Sequence, residues 1–370
     1  MARNNLQALS ELGQSVWIDY LSRDLIHGGE LERMMREDAV TGVTSNPTIF
    51  QKAISSGNAY DEQLKELAEE HCEGTDAFFR LAERDISDAC DLLRPVWEAT
   101  GGRDGYVSIE VDPNLAYETK PSYEQARELH ATIDRPNLFV KIPGTEPGLQ
   151  AIGDSVAEGR SINVTLIFSL QRYEEVAQAY IRGIERLISS GGDPSQVASV
   201  ASFFVSRVDT EADKRLEEIG TEQALALRGK LAVANARLAY QRYRELFSGD
   251  RWHELELKGA TRQRCLWAST SVKNPAYRDV MYVEELIGPE TVNTMPEETI
   301  EAFQDHGEVA LTLEQDVEAA RAVLEQIAEV GVDYDDVVRV LEEEGVQKFS
   351  DSFAELLEGI KEKRGQLVTA

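Results

Sequence analysis

The sequence predicts an α/β fold, a (β/α)8 TIM barrel with additional helices. Three observations predict it: short β-branched runs alternate with long amphipathic segments, there are eight such runs, and no linker rich in glycine, proline or serine divides the chain. At 370 residues the chain exceeds the ~100–200 of an ordinary single core but lies in the range where an α/β barrel closes as one unit. We therefore expect a single barrel domain over 1–370.

The eight runs are 16–21, 40–46, 106–111, 138–143, 162–168, 197–204, 265–271 and 290–294, the last short and threonine-rich. After the fifth run Tyr173, Val176, Ala177, Tyr180, Ile184, Leu187 and Ile188 recur at helical steps, with Ser169 placed to cap the N-terminus. Ser122 with Gln125, and Thr312 with Gln315, have capping-box spacing and predict two further helix starts. The connections near 50–105 and 210–264 are oversized and poor in glycine and proline, so both read as helical insertions. The acidic segment 297–370 reads as helical, the last barrel helices followed by a solvated cap.

With 42% of residues apolar and 28% charged, the chain can fill a core and keep its outside wet. A net charge of −29 repels polyphosphate, which removes the main driving force for binding nucleic acid. An anionic substrate then needs a local basic pocket. Cys72, Cys90 and Cys265 lack paired spacing, and the five histidines lack ligand spacing, so neither a disulfide framework nor a metal site is expected. The first fifteen residues are polar and no run of ~18 apolar residues occurs, so we expect no membrane contact and a cytoplasmic setting. Asn163-Val164-Thr165 spells a glycosylation acceptor, but it lies on a predicted buried strand.

Side chains alternate across a strand, so one parity faces the helices and the other the barrel axis. Val16, Ile18, Val107, Ile109, Val111, Val140, Ile142, Ile162, Val164 and Leu166 form an apolar set suited to burial under helices. The opposite parity presents Asp19, Thr44 with Asn46, Glu110, Lys141, Asn163 with Thr165, and Ser202. A purely structural barrel would fill that space with Val, Ile and Leu, and these polar members fall late in their strands, where the fold carries its chemistry. Lys141 is the sharpest of them, because a lysine within Leu-Phe-Val-Lys-Ile is expensive to bury charged. Such a lysine is either paired with a carboxylate for structure or kept as an amine nucleophile that forms a Schiff base. Asp19 and Glu110 supply carboxylates for proton transfer, with Thr165 and Ser202 able to position a hydroxyl or a water.

The stretches Val-Trp-Ile-Asp-Tyr (16–20), Gly-Val-Thr-Ser-Asn-Pro-Thr (42–48), Val-Ser-Ile-Glu-Val-Asp (107–112), Val-Lys-Ile-Pro (140–143), Asn-Val-Thr-Leu-Ile-Phe-Ser (163–169) and Ser-Phe-Phe-Val-Ser-Arg-Val-Asp (202–209) resemble those of the transaldolases, in family order. The resemblance implies a cofactor-free, metal-free enzyme of the pentose phosphate pathway that moves a dihydroxyacetone unit between sugar phosphates. It implies that Lys141 is the Schiff-base lysine, that Asp19 takes the C4 hydroxyl proton, and that Glu110 shuttles protons with a water and Thr165. Asn46 and Asn163 match residues that hold the dihydroxyacetone hydroxyls, Thr44 and Ser202 line the same site, and Arg207 matches a phosphate-binding arginine. Phe204 stands where transaldolases carry phenylalanine and fructose-6-phosphate aldolases carry tyrosine, and Glu110 where those aldolases carry glutamine. Both favour transfer over simple cleavage. Ser271 and Lys273 resemble the serine and basic residue that help hold phosphate in small members of the superfamily. Phe203 replaces a proline common in relatives.

The expected partners are therefore sugar phosphates, with no nucleic acid and no membrane, and the oligomeric state is left open. The nearest rival is a Schiff-base aldolase releasing free dihydroxyacetone. A rival of another class is a noncatalytic sugar-phosphate-binding barrel, which would be expected to have lost Lys141 or its carboxylates.

Overall fold

The computed structural model describes residues 4–369; residues 1–3 and 370, which the expected domain includes, lie outside the described residues. Eight parallel strands close a barrel in chain order: β1 (Gln14–Ile18), β2 (Val40–Val43), β3 (Tyr106–Glu110), β4 (Leu138–Pro143), β5 (Ile162–Ile167), β6 (Ser199–Phe204), β7 (Arg264–Ala268) and β8 (Thr291–Met295), which pairs back to β1. Every predicted run overlaps a strand, and β1, β7 and β8 extend one or two residues beyond theirs. The ends differ where the backbone must leave the sheet. β7 stops at Ala268 because Ser269 adopts a left-handed φ of 56°. β2 stops at Val43 because Asn46 caps the next helix, Pro47–Ser55, its Oδ1 accepting from the Ile49 N–H at 3.0 Å.

The apolar parity is buried as expected, with Val16, Ile18, Val107, Val140, Ile142, Ile162 and Val164 fully enclosed. Leu166 is buried too but falls out of register with that set. β5 pairs Val164 with Ala201 but Ile167 with Phe203, so it carries one extra residue, and Leu166 takes a φ of 59° at this bulge. Below the polar layer the barrel is plugged by aromatic rings: Trp17 lies 6.4 Å from Tyr106 and 6.1 Å from Phe139, which stack at 4.1 Å. A Cβ on Gly42 would stand 2.5 Å from the Trp17 ring, so this position must be glycine. Trp17 Nε1 and Ser15 Oγ donate to Asp104, which also meets Arg264 at 3.2 Å.

Ser169 caps the helix Leu170–Ser189 as predicted, accepting from the Arg172 N–H at 3.0 Å. The other two capping boxes do not form. The helix Thr119–Ile133 starts before Ser122, whose hydroxyl finds the Leu115 carbonyl at 2.7 Å, while Gln125 accepts from the Asp112 N–H. Thr312 donates to the Glu284 carbonyl, and the helix begins only at Val317.

Both long connections are helical: Pro47–Ser55, Asp61–Glu69 and Gly74–Ala99 in the first, Glu222–Leu225, Leu231–Leu246 and Asp250–Glu256 in the second. The tail forms Glu297–His306, Val317–Glu329 and the 36-residue helix Tyr334–Thr369. That last helix is not a solvated cap. It buries Val337, Leu341, Val346, Phe349, Phe353, Leu356 and Ile360 and straps across the barrel mouth, packing on the three helices of the first insertion, on Ser206–Ile219 and on β5. Its apolar positions recur at three- and four-residue steps beneath an acidic outer face, which explains both the packing and the misreading. Lys363 anchors its far end, donating to the Ile54 and Gly57 carbonyls at 2.9 Å, and Arg215 holds Asp336 near its start at 2.8 Å.

Candidate active site

The polar parity converges at the C-terminal ends of the strands on a cavity of about 530 Å³. Lys141 pairs in register with Glu110 on one side and Asn163 on the other, which fixes its height in the barrel. Its Nζ donates to the Ser45 carbonyl at 2.8 Å and has no ion pair among the described residues, so the structural alternative of a carboxylate-paired lysine is absent. Asp19 follows β1, its N–H still donating to the Met295 carbonyl at 2.8 Å. Its carboxylate accepts from Thr44 Oγ1 at 2.7 Å, and Thr44 Oγ1 lies 2.7 Å from Thr294 Oγ1. Burial pushes the Asp19 carboxyl up, against the opposing pull of Lys141 and the Thr44 hydrogen bond.

Glu110 is buried with neither carboxyl oxygen hydrogen-bonded, and the Thr165 hydroxyl is likewise without a partner. Burial pushes the Glu110 carboxyl up to about 7 even though Lys141 pulls it down. A second, small space of about 10 Å³ adjoins Glu110, Ser45 and Asn46, roughly what one water needs. Asn163 is fully enclosed, donating to Ser108 Oγ at 3.1 Å and accepting from Ser202 Oγ at 2.7 Å. Ten of the predicted site residues line the large cavity; Glu110 and Asn163 stand behind its wall. Asn46 spends its oxygen on the helix cap, which leaves its Nδ2 donors free for the cavity.

Phe204 lines the cavity with its ring 5.2 Å from Phe168. Phe203, where a proline was the familiar residue, continues β6 and points the other way, edge-on to Tyr173 and Trp267. Arg207 rises from the first turn after β6, its guanidinium 5.1 Å from the Phe204 ring and 5.8 Å from that of Phe349. Ser271 and Lys273 face it from the loop after β7, joined by a 2.6 Å hydrogen bond from Nζ to the hydroxyl.

Sequence reasoning missed several lining residues. Thr294 obeys the same late-strand parity and was findable by it. Glu298, Lys52, Glu344, Lys348 and Phe349 sit on helices, where charged and aromatic residues at such spacing carry no local signal. Among the described residues no group of three or more His, Cys, Asp or Glu is placed to hold a metal ion, and no helix is long and apolar enough to cross a membrane.

Residues 16–360 match the family model described as Transaldolase/Fructose-6-phosphate aldolase. The chain is 55% identical to a protein named Transaldolase from Parafrankia sp. (strain EAN1pec), over 97% of this chain and 98% of that one. It is 53% identical to Transaldolase 2 of Streptomyces coelicolor over 95% of each chain. A Transaldolase of Mycobacterium tuberculosis (strain ATCC 25618 / H37Rv) is 54% identical over 99% of this chain and 98% of its own.

Proposed function

The chain belongs to the transaldolase/fructose-6-phosphate aldolase family and is an enzyme with transaldolase activity, and from that premise we propose the course of its reaction. It moves a dihydroxyacetone unit from sedoheptulose 7-phosphate or fructose 6-phosphate to glyceraldehyde 3-phosphate or erythrose 4-phosphate, in the cytoplasmic, non-oxidative pentose phosphate pathway. The observation that carries this reading is Lys141, enclosed in the barrel mouth beside Glu110 and within electrostatic reach of Asp19, without an ion pair.

The Lys141 amine attacks the ketose C2 carbonyl, forming a carbinolamine that loses water to give the imine. Glu110 is suited to moving those protons, because its carboxyl is balanced near neutrality and free of fixed hydrogen bonds, and the small space beside it has room for one water. Thr165, whose hydroxyl is unpartnered, completes the relay. Asp19, oriented by Thr44, takes the C4 hydroxyl proton as the C3–C4 bond breaks and the aldose phosphate departs. The imine stores the bonding electrons as an enamine until an acceptor aldehyde arrives. Asn46, Asn163 and Ser202 hold the hydroxyls of the retained unit, and Arg207 with Ser271 and Lys273 holds the phosphate. Phe204 keeps water from the enamine, which favours transfer over release of free dihydroxyacetone. No separate unit is needed: the proposed single domain over 1–370 carries the whole site.

The test is borohydride reduction in the presence of fructose 6-phosphate followed by peptide mass mapping. A dihydroxyacetone-derived adduct is expected on the peptide containing Lys141 and should vanish in Lys141→Arg. An adduct on Lys120 or Lys273, or none, would overturn the assignment.

A further inference from the structure

In a chain with 67 acidic and 38 basic side chains, most described arginines meet a carboxylate, Arg215, Arg242 and Arg251 each within 2.7 Å, whereas most lysines do not. What sets the mouth apart is that Arg207, Lys273 and Lys348, none of them ion-paired, line one cavity. Among the described residues neither Arg207 nor Lys348 has a side-chain hydrogen bond or ion pair, and Lys273 donates only to Ser271. Lys348 belongs to the strapping helix Tyr334–Thr369, and its side chain lines the same cavity as the other two. Glu344 stands one turn before it, the Glu-to-Lys order that favours a helical ion pair, yet no such pair forms. The helix offers this ammonium a partner and the ammonium faces the cavity.

We propose that Lys348 is a third ligand of the sugar phosphate, beside Arg207 and Lys273, and that through it the strapping helix discriminates phosphorylated from unphosphorylated ketoses. The proposal rests on the phosphate site of the reaction above and extends it to an element outside the barrel. Three like charges around one opening repel one another, and the Arg207 and Lys273 charges push the Lys348 ammonium down from its ordinary range. A phosphate dianion relieves that repulsion and offers each cation an oxygen. Glycine at 345 lets the helix lie close over the mouth: a Cβ there would stand 3.1 Å from Cδ2 of Leu166, the residue turned by the β5 bulge. Phe349, next to Lys348, meets the Arg207 guanidinium as Phe204 does, so the same turn supplies one cation and steadies another.

The experiment compares Lys348→Gln, Lys348→Arg and Arg207→Ala with the unaltered chain, using fructose 6-phosphate or fructose as donor, glyceraldehyde as acceptor, and inorganic phosphate as a competitive inhibitor. For Lys348→Gln the ratio of kcat/KM for fructose 6-phosphate to that for fructose should fall about tenfold, and the inhibition constant for phosphate should rise about as much. Lys348→Arg should recover most of both. The proposal is overturned if Lys348→Gln leaves the ratio unchanged, or lowers turnover of both ketoses equally, while Arg207→Ala depresses the ratio. If Arg207→Ala also leaves the ratio unchanged, the phosphate site itself has been misassigned.

Discussion

A carboxyl with both oxygens unpartnered and its protonation balanced near neutrality, as in Glu110, can give and take a proton at little cost. Glu110→Gln should slow formation and hydrolysis of the imine by something like the ~10²–10⁴-fold supplied by a positioned acid or base. Phe204→Tyr should act elsewhere, adding at nearly constant volume a hydroxyl that can orient water toward the enamine. Measuring dihydroxyacetone release against erythrose-4-phosphate-dependent transfer separates the two. The release-to-transfer ratio should rise in Phe204→Tyr, and an unchanged ratio would reduce Phe204 to packing. Glu110 was legible in the sequence because strand parity turns a buried polar side chain into an anomaly, whereas Phe204 was marked only by the resemblance to transaldolases. Lys348 was marked by neither, since a lysine on an acidic helix is ordinary until the helix is seen to cross a cavity.

Among the elements, the strands were the most legible, since alternation and β-branched residues mark them whatever the tertiary context. What could not be read was where they stop: the left-handed Ser269 and the bulge at Leu166 answer to neighbours far along the chain. The strapping helix showed its period but not its partner, because a stripe of apolar residues does not say what it will cover. At Gly345 the strap lies close against Leu166 and Phe168. Gly345→Leu should lift the helix from Leu166 and Phe168, raising the KM for fructose 6-phosphate about tenfold while borohydride still traps the adduct on Lys141. Loss of trapping would mean that the strap shapes the reacting layer as well.

For the molecule as a whole, pH acts on stability through its buried carboxyls. Asp209 accepts from the Ala232 N–H at 2.8 Å and the Tyr282 hydroxyl at 2.9 Å, and burial pushes its carboxyl up to about 7. The folded chain thus holds this proton more firmly than the unfolded chain does. The stability it confers is full below the ordinary carboxyl range and is lost as pH rises to about 7, and Glu110 acts in the same sense. Thermal melts should show Tm falling over that window, with a shallower fall in Asp209→Asn, which cannot ionise; an equally steep fall would assign the slope to other groups. The strap stands apart in its own way. Lys363 meets the Ile54 carbonyl across 309 residues of chain, and ion pairs such as Arg364 with Glu73 rim the buried apolar stripe. A helix laid over the rim has no ladder of strands closing it on both sides, and it opens at lower free energy than the strands of a closed barrel. On warming, the strap would loosen while Lys141 is still in register with its neighbours, so the enzyme would lose its judgement of substrates before it loses its chemistry.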